Sequence, residues 1–217
     1  MRITSLQTQV NNPDRINIFV DEHFLLGANA MLVLQMSLHV GQEITPAQVE
    51  QIQQEEALQQ SVDRALNYLS FRPRSRQEVR NYLRRKGTTP EHIQVVLERL
   101  DRMDLVNDRS FASFWLENRE QFSPKGAQAL KNELRQKGIQ REVIDELVDE
   151  ENDEGRAQRA AEKKARSLLR QPSIDYATFY RRLGSFLQRR GFSFEITKRI
   201  VKRIWEEQRQ ETVGEEE

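Results

Sequence analysis

The sequence predicts an all-α protein built of three tandem three-helix repeats and preceded by a small region containing a β-hairpin. A unit Leu-x-x-(basic)-Gly occurs at Leu83–Gly87, Leu134–Gly138 and Leu187–Gly191, with the glycines 51 and 53 residues apart. Around each glycine the apolar positions coincide: Val79, Leu130 and Leu183 eight residues before, then Val96-Leu97, Leu147-Val148 and Ile200-Val201 nine and ten after. Self-similarity at a fixed period is the signature of a repeat architecture. Only 37% of the 217 residues are hydrophobic and 31% are charged, which suits several thin helical layers better than one thick core.

The first segment, residues 1–56, reads differently. Ile3, Leu6, Thr8 and Val10 precede Asn11-Asn12-Pro13-Asp14, and Ile16, Ile18 and Val20 follow at every second position. Strand-like spacing on both sides of a turn signal predicts a β-hairpin. A short helix is expected near residues 29–37, and Thr45-Pro46 supplies a cap and first position for another.

The repeats are expected over 57–107, 108–155 and 156–210, followed by an acidic tail, 211–217. Apolar residues four apart stack on one helix face. A glycine just past the last turn can adopt the left-handed conformation that ends a helix, and a basic residue before it complements the helix dipole. Helix starts are expected at Ser75–Glu78 and Thr88–Glu91, which fit capping boxes, and at Ser123-Pro124 and Thr89-Pro90, where a cap precedes a helix-starting proline, with Asp108 and Ser173 as further caps. Phe111, Phe114, Trp115, Tyr68, Phe186 and Trp205 lie at helical spacing and are assigned to the core. The acidic run from Asp149 to Glu154 is expected to be a hinge between the second and third repeats.

Composition excludes several classes. With no cysteine there is no disulfide framework or thiolate metal site, which fits a reducing cytoplasm. The start lacks a basic segment followed by an apolar run, so no signal peptide is expected. The stretch Ala28–Val40 is too short and too polar to span a bilayer, so no membrane association is expected. His23, His39 and His92 are scattered without partners at metal-ligand spacing, and no phosphate loop or nucleophile elbow is present. Neither an enzyme nor a bound cofactor is expected.

The net charge of zero conceals an asymmetry. Residues 1–56 hold two Lys/Arg against seven Asp/Glu, whereas residues 156–210 hold fifteen against five. Basic residues collect on the middle helix of each repeat: Arg84, Arg85 and Lys86; Lys131, Arg135 and Lys137; Arg181, Arg182, Arg189 and Arg190. Lys198 and Lys202 join them on the final helix. One basic residue per copy is explained by dipole capping, but three or four are not. Equivalent positions in stacked units would form a stripe suited to an extended polyanion.

The ordered motifs Leu69-Ser70-Phe71-Arg72-Pro73-Arg74-Ser75, Leu105-Val106-Asn107-Asp108-Arg109-Ser110-Phe111-Ala112 with Trp115, and Ser123-Pro124-Lys125-Gly126 resemble those of the RecX family. The resemblance spans about residues 60–205. It departs from the family's frequent pair of aspartates at Asn107-Asp108, and the N-terminal hairpin region is similar to an extension found in some members only. What the resemblance implies is three tandem three-helix units and a monomeric regulator of the RecA recombinase. Such a regulator binds the RecA–single-stranded DNA filament and suppresses its growth, ATP hydrolysis and strand exchange, in DNA repair, recombination and the SOS response. Single-stranded DNA is a second expected partner. A helix-turn-helix transcription regulator is the competing class, because a tight helix–Gly–helix corner invites it, although Glu91, Glu142 and Glu195 stand at the heads of the candidate recognition helices. A structural scaffold that binds no nucleic acid is the third.

Overall fold

A computed structural model describes residues 1–171 and 173–214, with residues 208–214 described by backbone alone. The chain divides into two compact units. The first joins Met1–Arg72 with Val79–Leu105, and the second joins Pro73–Glu78 with the chain from Val106 onward.

The first unit opens with an antiparallel sheet of three strands in the order β1 (Ile3–Gln9), β2 (Asn12–Val20) and β3 (His23–Asn29). The expected hairpin is its first half, and its turn falls earlier than Asn11–Asp14: Gln9 pairs with Asn12, so Val10 and Asn11 turn and Pro13 enters β2. The third strand is an addition. Its turn, Asp21-Glu22, carries φ of 47° and 66°, the two left-handed positions of a type I′ turn, without the glycine or asparagine that would announce it. Ile3, Ile18, Val20 and Ala28 on the sheet form one core with Leu32 of α1 (Ala30–Gln35) and Ile52 of α2 (Pro46–Ser70).

Thr45 caps α2 in a reciprocal box with Gln48: each side chain accepts the other's backbone N–H, at 3.3 and 2.8 Å. The helix then runs unbroken across residue 57, where the sequence suggested a boundary. The buried carboxylate of Glu56 fastens it to the sheet by accepting from the Arg15 guanidinium and from the Asn29 backbone N–H, both at 2.8 Å. Val62 and Ala65 of α2 are buried, as are Val79 and Leu83 of α3 (Arg76–Arg85) and Val96 and Leu97 of α4 (Pro90–Arg102). Tyr68 lies flat on Tyr82, ring centroids 4.2 Å apart. The cap of α4 is Thr89, which accepts from the His92 N–H ahead of Pro90, as the Thr89-Pro90 pair suggests; Thr88, the head of the expected box, is not the cap.

The second unit holds α5 (Asp108–Phe122), α6 (Ala127–Gln136) and α7 (Arg141–Leu147), then α8 (Asp153–Leu169), α9 (Tyr176–Arg189) and α10 (Phe194–Gly214). Thus α10 continues through 211–214, while 215–217 of the expected acidic tail lie outside the described residues. Phe111, Ala112, Leu130, Leu134 and Ile144 form the core of the first trio, with Trp115 against it. Phe179, Leu183, Leu187, Ile200 and Val201 form that of the second, with Phe186 and Trp205 against it. Three expected caps are corrected. Asn107 caps α5, accepting from Arg109 and Ser110; Ser123 ends α5, and α6 starts behind Gly126; Asp175, not Ser173, caps α9. Asn107 and Asp175 put an acceptor in register with the free amides, whereas Gly126 has no side chain to offer one.

The glycine corners share one geometry. Gly87, Gly138 and Gly191 have φ of 78°, 80° and 85°. The residue after each donates its N–H to the leucine carbonyl four positions before the glycine: Thr88 to Leu83, Ile139 to Leu134 and Phe192 to Leu187. That bond closes the helix and turns the chain directly into the next one.

Within the second unit, each middle helix begins against the repeat that follows it. The Arg76 N–H donates to Asp108 at 2.8 Å, and the Ser75 hydroxyl donates to the Lys137 carbonyl at 2.7 Å. One repeat later, the Ala127 N–H donates to Asp153 and the Gly126 N–H to the Arg190 carbonyl at 2.9 Å. Ser75 and Gly126 occupy the same register, twelve residues before the glycine of their repeat, as do Lys137 and Arg190, one residue before it. No later repeat among the described residues answers the head of α9, the middle helix of the third repeat. Its own Asp175 accepts the Thr178 N–H at 2.7 Å, and these bonds hold the Asp175 carboxyl below its ordinary pKa. The acidic run expected as a hinge therefore contains a clasp, because Asp153 is buried between Arg156 and Ala127.

Candidate functional site

The expected basic residues fall into two groups. Lys131, Lys137 and Arg190 are held within the protein. Lys131 is half-buried and bonded to Glu150 at 2.6 Å, with Asp145 at 3.5 Å; the Glu150 bond holds its pKa above the ordinary lysine value. Lys137 pairs with Glu78 at 2.6 Å and lies over the Trp115 ring at 4.9 Å. Arg190 donates to the Pro124 carbonyl at 3.0 Å and stacks its guanidinium over Phe186 at 4.6 Å. Burial, with repulsion from Arg119 added, pulls its pKa below the ordinary value, and no carboxylate among the described residues pairs with it.

The other nine side chains are exposed. Arg84 and Arg85 reach back to Asn81, Lys86 approaches the Tyr82 ring, and Arg135 bonds Asn132, all one turn or less away. These local contacts leave the guanidinium or ammonium charges unneutralised. Lys202 faces Glu206 at 3.6 Å on an exposed helix turn, and Lys198 points outward with no ion-pair partner among the described residues.

In the third repeat the geometry brings charges together. Arg181, Arg182 and Arg189 of α9 line an open cleft of about 480 Å³ with Lys164 of α8. Sequence reasoning missed Lys164: it lies on the first helix of the repeat, and only the packing of α8 against α9 reveals it. Arg182 bonds Gln171 across the cleft at 3.0 Å.

A polar hub steadies the second repeat. Glu133 accepts from the Trp115 indole N–H at 2.9 Å, from Arg119 at 2.8 Å and from Lys125. Burial pushes its carboxyl up, but the bonds from Lys125, Arg119 and Trp115 outweigh that and leave the pKa below its ordinary value. Charges satisfied in this way hold structure. No group of acidic, histidine or cysteine side chains able to hold a metal ion occurs among the described residues. His23 and His39 rest against backbone carbonyls, and no helix among the described residues is long and apolar enough to cross a membrane.

The sequence matches four successive family models. These are the regulatory protein RecX N-terminal domain over 1–45, then the RecX first, second and third three-helix domains over 62–100, 107–148 and 151–201. It is 30% identical to the regulatory protein RecX of Listeria welshimeri over 198 residues, covering 91% of this chain and 74% of that one. To that of Bacillus subtilis it is 30% identical over 210 residues, covering 97% and 80%. A crystal structure of regulatory protein RecX superimposes with a TM-score of 0.68 at 23% identity over 92% of this chain and 98% of the other. A RecX structure from Lactobacillus salivarius gives 0.58 at 24% identity, over 69% and 97%; at these identities the two structures speak for the fold.

Proposed function

Given that the chain belongs to the RecX family of regulatory proteins, we propose that it restrains the RecA recombinase. It binds the RecA–single-stranded DNA filament as a monomer in the cytoplasm. There it limits filament growth, ATP hydrolysis and strand exchange by occupancy and without catalysis. The observation that carries the reading is the match of four family domains in order along the chain, with curated relatives named regulatory proteins. The exposed arginines and lysines support it: Arg84, Arg85, Lys86, Arg135, Arg181, Arg182, Arg189, Lys198 and Lys202 present cationic donors to phosphates or acidic protein surface. Lys131 and Lys137 contribute by holding the repeats in shape.

The duplex-reading alternative has less support. Glu91, Glu142 and Glu195 occupy the first turns of α4, α7 and α10, where negative charge repels phosphates beside the groove. The deciding experiment is RecA ATPase on single-stranded DNA with the full chain added at rising ratio. Inhibition is expected, and inhibition far below one chain per RecA assigns the action to filament ends. Unchanged ATPase at saturating chain overturns the reading.

A further inference from the structure

We propose that the cleft between the end of α5 and the α8–α9 pair holds one nucleotide unit, with its base stacked on Phe122 and its phosphate on Lys163, Lys164 and Arg190. The cleft encloses about 590 Å³, inside the range of small-ligand sites. Its surface has two chemical parts. Phe122 supplies an apolar ring face, with Pro124 and Phe186, whose ring Arg190 covers, lining the cleft beside it. Lys163 and Lys164 have no ion-pair partner among the described residues, and Arg190 bonds only neutral oxygens. Glu120 on the wall is neutralised by Arg159, which leaves Glu162 as the acid facing these cations.

Phe122 is 71% exposed, although it ends a helix whose Phe111 is fully buried. Core packing therefore does not explain it. The same register in the first repeat, sixteen residues before the glycine, holds Phe71, which is 76% exposed. A large aromatic kept out of the core at one register in two copies is a contact residue. An exposed ring bordered by unneutralised cations matches the chemistry of a single strand, where bases stack on aromatics and phosphates follow basic side chains. An acidic peptide would use the cations but leave the ring face unfilled. Lys164 also lines the cleft of Arg181, Arg182 and Arg189, so a strand leaving the site finds further cations.

The test uses the full chain and a fluorescent oligothymidylate at low salt, so it stands apart from the ATPase assay of the RecA reading. Phe122→Ala is expected to weaken binding about tenfold, with the salt dependence unchanged. On an abasic strand of equal length, Phe122→Ala and the parent are expected to bind alike, which a general folding defect would not produce. Lys163→Gln with Lys164→Gln is expected to lower the slope of log affinity against log salt by about one to two. Phe24→Ala removes an exposed phenylalanine of β3 and serves as the control without effect. Thymidine monophosphate that displaces the strand at micromolar concentration assigns the site to free nucleotides; no displacement at millimolar concentration assigns it to a strand. Equal binding of oligothymidylate by Phe122→Ala and the parent overturns the proposal, as does an equal loss on the abasic strand. Displacement by polyglutamate that is insensitive to Phe122→Ala overturns it in favour of an acidic peptide.

Discussion

The carboxylate of Asp153, first residue of α8, accepts the backbone N–H of Ala127, first residue of α6, at 2.9 Å through one oxygen and 3.1 Å through the other. The Arg156 guanidinium holds the same carboxylate at 2.8 Å. Asp153→Ala leaves a buried guanidinium and a helix-head amide without their partner. A loss of about 3 kcal/mol in denaturant unfolding is expected. Asp108→Ala, at the half-buried equivalent contact with Arg76, is expected to cost about 1 kcal/mol. Equal small losses at both sites would show that the clasp does not couple the repeats.

Glycine substitutions should separate packing from backbone strain. Gly87 is left-handed, but a methyl group added there meets open space, so Gly87→Ala costs only the conformational penalty of about 1–2 kcal/mol. A Cβ on Gly126 would overlap the Gly191 carbonyl, and one on Gly191 would overlap Ala129. Both substitutions are therefore expected to lower the melting temperature clearly more than Gly87→Ala. The reverse order would exclude close contact between these repeats.

The acid limb of stability depends on Glu133. Its folded pKa lies below its ordinary value of 4.5, so the stability it contributes is fully present above that pH and is lost as pH falls through the lower folded value. Glu133→Gln is expected to be less stable at neutral pH and to lose less on acidification below pH 4.5. Unfolding curves over that range check it; parallel pH profiles for variant and parent would be the contrary result.

Removing the buried carboxylate of Glu56 should loosen the sheet from α2. Arg15 loses its ion pair and Asn29 its backbone acceptor, so Glu56→Ala is expected to destabilise by about 3 kcal/mol. Hydrogen exchange is expected to rise first in β2 and β3, and uniform protection would count against this fastening.

Charge reversal should divide the basic residues by role. Arg84→Glu with Arg85→Glu, or Arg181→Glu with Arg182→Glu, is expected to weaken inhibition of RecA ATPase about tenfold or more with the melting temperature nearly unchanged. Lys137→Glu breaks the pair with Glu78 and is expected to lower the melting temperature itself. If the first two pairs lowered stability instead, their surface would be structural.

The repeat frame was legible because a leucine, a basic residue and a left-handed glycine each carry a strong local signal, and all three corners follow it. The start of each middle helix was not legible. Ser123-Pro124 looks like a cap, yet α6 starts behind Gly126 because its partner, Asp153, lies 26 residues further on. The third strand was hidden for a related reason: Asp21 and Glu22 take positive φ without glycine, and Phe24-Leu25-Leu26 does not alternate. Among the basic residues, spacing could not distinguish Lys137, which has a partner 59 positions away, from Arg135, which faces solvent.

Because helix heads are answered by residues later in the chain, synthesis and completion run out of step. As the polypeptide leaves the ribosome, the head of α6 emerges before Asp153 and Arg190 exist to meet it, and the Arg76 amide waits in the same way for Asp108. Each repeat is finished by its successor. The third, with Asp175 at its own helix head, closes without waiting for a later partner.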